Sequence, residues 1–228
     1  MTLRPIAFLA LILICSCSGY KTESGKVYYI EYNEAHGRVS REIGADEKTF
    51  RVLEIKNYAV DFEHVFYLGN LIDSADSKTF TPLSDFIGRD KAHGYYGRVL
   101  IKNSDGLTFE VIEGNFTRDK NEVYYIDKPL NSSSPKSFEI LKIGHGNWTR
   151  DGQSYFYNGI KMPIKDYNSF EILDDDCFFA KDKFQVYKQD QVLEGVDAET
   201  FKFLERCIGQ DKYGCHNGYR RCDCPKTK

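Results

Sequence analysis

Phe116-Thr117-Arg118-Asp119-Lys120-Asn121-Glu122-Val123-Tyr124-Tyr125, completed downstream by Ser137-Phe138-Glu139-Ile140-Leu141, decides the fold, because versions of it recur along most of the chain. The related blocks, about 29–32 residues each, are anchored by Asp61, Asp90, Asp119, Asp151, Asp182 and Asp211. In five of them a phenylalanine (Phe80, Phe109, Phe138, Phe170, Phe201) stands nineteen positions after its aspartate. A fixed internal offset over several copies means that one small structural unit is repeated, so the architecture is a tandem repeat.

Each block reads as three short strands. The first runs up to the aspartate, as in Asn115-Phe116-Thr117-Arg118. The aspartate then turns the chain, because its carboxylate can accept from backbone N–H groups two residues on. An aromatic strand follows: Val65-Phe66-Tyr67, Val123-Tyr124-Tyr125, Tyr155-Phe156-Tyr157 or Val186-Tyr187-Lys188. A tight turn comes next, clearest at Asn158-Gly159, where both residues tolerate the positive φ of a type I′ hairpin. Gly69-Asn70, Asp127-Lys128 and Gln189-Asp190 occupy comparable places, and a third short strand such as Leu71-Ile72 or Val192-Leu193 ends the meander. The connector, Ala75-Asp76-Ser77-Lys78-Thr79-Phe80 or Val196-Asp197-Ala198-Glu199-Thr200-Phe201, predicts one capped turn of 3₁₀ type that drops its Phe into the core. The segment after that Phe is apolar enough to re-enter a sheet. No stretch keeps a 3.6-residue period over eleven residues, so long helices are not expected.

The expected fold is therefore all-β: short meanders and hairpins stacked into an elongated, twisted array. Each unit is too small to bury its own aromatic face, and stacking completes that burial. Blocks of this length fall short of the roughly 40 residues of a four-stranded propeller blade, which makes propeller-like closure the alternative. Gly25-Lys26-Val27-Tyr28-Tyr29 begins a degenerate first copy, with Glu23 in place of the aspartate.

The composition agrees with strands. Sixteen Tyr and sixteen Phe accompany a single Trp, and hydrophobic residues make up 41%; aromatic side chains suit a pleated, half-buried surface. The net charge is −3 with both signs interleaved. No basic stripe stands out, which argues against nucleic acid as a partner.

Asp119-Lys120-Asn121-Glu122-Val123-Tyr124-Tyr125, Asp90-Lys91-Ala92-His93-Gly94-Tyr95-Tyr96 and Asp182-Lys183-Phe184-Gln185-Val186-Tyr187, each with a downstream Thr/Ser-Phe pair, resemble the repeat of the bacterial DKNYY family over roughly residues 23–213. Asp61-Phe62 and Asp151-Gly152 depart from it by losing the lysine, and Gly94 stands in place of the valine. The resemblance implies a surface or envelope protein and supplies no catalytic or binding residues.

The first residues read as an address. Met1 to Arg4 is a short positive region and Pro5 to Ile14 an apolar run of ten, too short for a mature span and suited to a signal segment. Ile14-Cys15-Ser16-Cys17 resembles a bacterial lipobox, which implies cleavage before Cys17, residues 1–16 removed, and acyl chains on Cys17 that anchor the protein to a membrane. Residues 17–24 then form a tether, 25–206 the repeat domain and 207–228 a degenerate last copy with a cysteine-rich cap. Ordinary secretion without an anchor is the alternative. Ser18 after the cysteine favours the outer membrane in a Gram-negative cell.

In an oxidising envelope Cys177, Cys207, Cys215, Cys222 and Cys224 are expected to pair, with one left over. Cys177 and Cys207 precede equivalent aspartates and so suit a bridge between adjacent units, while Cys215 with Cys222 or Cys224 would close the last loop. A zinc site from Cys207, Cys215, His216, Cys222 and Cys224 is the competing reading, but the spacing matches no standard ribbon or finger.

No reaction is legible. There is no nucleophile elbow, phosphate loop or dinucleotide fingerprint. His64 and His93 fall at the same position of successive turns and read as solvated rather than metal-binding. Asp174-Asp175-Asp176 fits no EF-hand loop and reads as a solvated loop. The Asp-Lys pairs read as turn chemistry with weak surface ion pairs. Paired tyrosines alternate faces, so one column packs inward; covered core is the expected fate of the other as well, with an exposed column that meets a peptide or glycan as the alternative. The expectation is a non-enzymatic, lipid-anchored envelope protein without metal or cofactor, whose repeats serve binding or scaffolding. A glycan- or peptide-binding receptor module and an envelope hydrolase with an unrecognised site are the alternatives.

Overall fold

The computed structural model describes residues 18–132, 134–204 and 206–225. Among these residues seven small antiparallel sheets follow one another along the chain, and no strand is shared between them. The chain divides between Asp85 and Phe86 into two compact units. The first unit opens with a three-stranded sheet, Gly19–Glu23, Lys26–Asn33 and Gly37–Glu42. A four-stranded one follows: Arg51–Val52, Tyr58–Val60, Val65–Tyr67 and Asn70–Leu71. Beyond Phe86 the third sheet contributes Ile87–Arg89, Gly94–Tyr96 and Val99–Leu100. Four-stranded meanders then start at Glu110, Glu139, Glu171 and Lys202.

The meander around Asp119 shows the plan. Its strands are Glu110–Glu113, Phe116–Arg118, Val123–Tyr125 and Lys128–Pro129, paired in chain order. Glu110 faces Arg118, Thr117 faces Tyr124, and Tyr124 faces Pro129. The unit thus has four strands where the sequence pattern predicts three. The apolar segment after each connector Phe pairs with the strand that leads to the next aspartate. Four strands fit into so short a block because each is only two to four residues long, so block length is no argument against a four-stranded unit. The same irregularity recurs in the first pair of three sheets, a register shift at Val111/Glu113, Ile140/Lys142 and Ile172/Asp174.

The hairpin tips are Leu68-Gly69, Gly97-Arg98, Ile126-Asp127, Asn158-Gly159 and Gln189-Asp190, read from the gaps between paired strands. Two of them lie one residue earlier than their sequence predicts. Asn70 and Lys128 are strand residues, and Leu68 (φ 47°) and Ile126 (φ 61°) take the left-handed position instead. Asn158 (φ 48°) and Gly159 (φ 76°) form the positive-φ pair of a type I′ turn. A Cβ on Gly159 would sit 2.6 Å from the Cβ of Tyr125, so this glycine answers both a backbone and a packing demand.

Two connectors are single 3₁₀ turns, Pro135–Ser137 and Tyr167–Ser169. Phe138 and Phe170 of the connectors bridge neighbouring sheets. Phe138 lies 5.6 Å from Phe116 of its own block and 6.4 Å from Phe156 of the next. Phe170 lies 6.2 Å from Trp148 and 6.2 Å from Tyr187. In the first unit Tyr58 meets Phe80 at 5.3 Å and Phe50 meets Phe66 at 6.3 Å. Tilted aromatic pairs at these spacings contribute about 0.5–1.5 kcal/mol beyond their buried area. Among the described residues no helix is long and apolar enough to cross a membrane.

Candidate functional site

The six aspartates that anchor the blocks are all buried, which sequence reading as turn residues did not anticipate. A buried carboxylate is costly unless its oxygens are fully engaged, and here they are. Asp119 Oδ1 accepts from the N–H groups of Asn121 (2.7 Å) and Glu122 (2.9 Å), closing the turn. Its Oδ2 accepts from the N–H of Asp105 (2.7 Å), in the preceding connector, and from the Tyr124 hydroxyl (3.0 Å). The connector answers through Thr108: its Oγ1 accepts from the Lys120 N–H (3.1 Å) and donates to Asp105 Oδ1 (2.9 Å). One carboxylate therefore ties a turn, a connector and an aromatic strand into a clasp.

The clasp recurs. Asp182 Oδ1 accepts from Phe184 and Gln185, and its Oδ2 accepts from Lys165, Asp166 and the Tyr187 hydroxyl (2.6 Å). Asp90 takes the N–H groups of Ala92 and His93 and the Tyr95 hydroxyl (2.8 Å). Where the aromatic five residues on is Phe and lacks a hydroxyl, another donor fills the place: the His64 ring for Asp61 (3.1 Å) and Ser132 Oγ for Asp151 (3.0 Å). In the last copy His216 stands there, 3.4 Å from Asp211. Burial pushes the carboxyls of Asp61, Asp182 and Asp211 up, but these hydrogen bonds outweigh it and hold all three below their ordinary value. Burial and the neighbouring carboxylates push the Tyr124 and Tyr187 hydroxyls up.

The sequence carries a further signal of this clasp. Two residues before each aspartate stands a small residue: Ala59, Gly88, Thr117, Thr149, Ala180 and Gly209. Each pairs across the sheet with the residue five positions after its aspartate: Phe66, Tyr95, Tyr124, Phe156, Tyr187 and His216. Small opposite large leaves room for the connector ring; a Cβ on Gly209 would meet the Phe201 ring at 2.1 Å.

The surface beside the clasps carries a second recurrence. A cleft of about 350 Å³ at Asp119 is lined by Glu110, Arg118, Lys120 and Lys136. A cleft of about 480 Å³ at Asp182 is lined by the equivalent Glu171, Lys181, Lys183 and Glu199. The frame is common: an acid one residue after the connector Phe, and bases on either side of the aspartate. Arg118 pairs with Glu110 at 2.6 Å and Lys181 with Glu171 at 3.4 Å. The lysine after the aspartate pairs with the connector acid, Lys120 with Asp105 (2.6 Å) and Lys212 with Asp197 (2.8 Å), not with its own neighbour. The Lys212 ammonium holds the Asp197 carboxyl down at about 2. Glu199 takes the place of Lys136 at the Asp182 cleft, which exposed Phe184 also lines.

The second column of tyrosines is covered, as expected, and forms no exposed row. Tyr67 and Tyr157 are buried, and the half-buried Tyr96 and Tyr125 hydroxyls bond to Asn115 and Asn147 of the following block. Asp174-Asp175-Asp176 is not a solvated loop throughout: buried Asp175 accepts from the Trp148 indole N–H at 2.9 Å and faces Lys142 at 3.2 Å, and Asp174 accepts from the Cys177 N–H. Cys177–Cys207 and Cys215–Cys224 are disulfides, and Cys222 is free. Those bonds consume three of the sulfurs of the alternative zinc set, and no group of three metal-ligating side chains occurs among the described residues. Cys17 and residues 1–16 lie outside the described residues.

Comparison with known families bears on the same residues. The DKNYY family profile matches residues 10–99 and 89–218. The chain belongs to the DKNYY family. In this DKNYY protein the stretch Asp119–Tyr125 that carries the repeat is the turn and aromatic strand of the clasp. No curated protein and no solved structure matches the chain.

Proposed function

We propose that this DKNYY protein is a non-enzymatic, lipid-anchored envelope protein whose repeats form a binding scaffold. The observation that carries the reading is the recurrence of one charged cleft, with a common frame and exchanged lining residues, beside Asp119 and Asp182. A scaffold that keeps its frame and varies the contact residues presents similar but distinct sites to a partner. The acids most buried in the repeats hold backbone together, which supports scaffolding over hydrolysis. Because the paired tyrosines pack inward, a protein or glycan partner would meet the charged clefts and exposed Phe184.

Two measurements test the two halves. Cys17→Ala should move the protein from the membrane fraction to the soluble one; unchanged membrane retention rejects the anchor. Envelope cross-linking with the wild type and with Lys120→Glu/Lys183→Glu should recover a partner that the variant loses. Equal recovery by both removes the clefts as the binding surface.

A further inference from the structure

The seventh sheet gathers three sulfurs. Cys215, in strand Gly214–Asn217, is buried and bonded to Cys224, with their Cα atoms 5.1 Å apart. Cys222, in strand Arg220–Cys222, is the direct cross-strand partner of the same Cys215. Directly paired residues of antiparallel strands point to one face with Cα atoms about 4.5–5.5 Å apart. That spacing falls within the about 4.4–6.8 Å that a disulfide spans. Cys215 thus lies within bonding reach of both cysteines and holds only one. Cys222 is a half-buried free thiol, and Cys224 is exposed beyond the last strand.

We propose that Cys222 is the nucleophile of an internal thiol–disulfide exchange that converts the Cys215–Cys224 bond into Cys215–Cys222 and frees Cys224. The Cys222 thiol loses its proton to solvent, and its thiolate attacks Sγ of Cys215. The Cys215–Cys222 bond forms as the Cys215–Cys224 bond breaks, and the Cys224 thiolate leaves into water and takes up a proton. Nothing is oxidised or reduced overall, so no outside oxidant is needed. The exchange moves the reactive thiol from the sheet to the exposed tail, where its thiolate can attack the disulfide of a second molecule, one sulfur of which leaves as a thiol.

The full chain, purified without reductant, is held near pH 8, quenched in acid, unfolded and alkylated with N-ethylmaleimide at low pH, where exchange is slow. Cleavage before Asp223 separates Cys222 from Cys224 and shows which carries the label. Label on both supports the exchange; label on Cys222 alone overturns it. Cys224→Ser should leave Cys215 and Cys222 bonded and unlabelled. Labelling of both, with Cys177–Cys207 intact as the sign of a folded chain, overturns the proposal. Cys222→Ser should leave Cys224 unlabelled, and label on Cys224 in that variant also overturns it.

Discussion

At Asp119 a single side chain receives four hydrogen bonds, two from its own turn, one from the preceding connector and one from Tyr124. Hydrogen bonds to a charged acceptor contribute about 1.5–3 kcal/mol each and are not additive within a cluster. Asp119→Ala should therefore cost about 3–5 kcal/mol in denaturant unfolding, near the upper range of single substitutions. Lys120→Ala removes only an exposed ion pair, screened by solvent, and should cost far less than Asp119→Ala. Equal losses would mean that the Lys-Asp pair, and not the carboxylate clasp, organises the repeat. Thr117 makes the opposite case: its hydroxyl is buried without a hydrogen-bond partner, opposite Tyr124. Thr117→Val, of the same shape, should stabilise by about 1 kcal/mol, as expected when a buried polar group lacks a partner; a loss of stability would show that the hydroxyl is satisfied.

At the scale of the element, the clasps make stability depend on pH at both ends. The folded carboxyls of Asp61, Asp182 and Asp211 lie below the ordinary 3.8, so their contribution is complete above about pH 4 and is lost as pH falls through the folded values. The folded hydroxyls of Tyr124 and Tyr187 lie above the ordinary 10.0, so their contribution is complete below about pH 10 and is lost as pH rises further. Thermal melts should show a plateau between these limits and a fall on each side; a Tm that climbs below about pH 4 would contradict the acid limb. The two disulfides differ in reach, closing separations of 30 and 9 residues. By the chain-entropy account, replacing the Cys177–Cys207 pair with serines should cost about 3–4 kcal/mol and the Cys215–Cys224 pair about 2–3. Guanidinium unfolding under non-reducing conditions reads the order, and the reverse order would mean that packing, not loop closure, dominates.

Over the whole molecule, sheets coupled mainly to their chain neighbours should respond locally. In Asp119→Ala, amide exchange should quicken first in residues 105–125, where the freed N–H groups lie, and next in the flanking blocks. Uniform acceleration across the second unit would show that it opens as one cooperative body. The aromatic bridges Phe116–Phe138–Phe156 and Trp148–Phe170–Tyr187 are the contacts through which neighbours would feel the change.

The repeat, its strands and its tight turns follow from the sequence alone, because aspartate, glycine and alternating aromatics act within a few residues of their own backbone. Asn158-Gly159 needs no neighbour to prefer its turn, and Val123-Tyr124-Tyr125 none to prefer a strand. What the pattern does not contain is which groups meet across blocks. The burial of the aspartates, the turn shifted onto Ile126 and the hydroxyl partners of the tyrosines depend on groups ten or more residues away. A carboxylate that is a surface turn residue by local rules becomes a buried tie once a connector N–H and a tyrosine hydroxyl converge on its second oxygen, and only the folded chain brings them there.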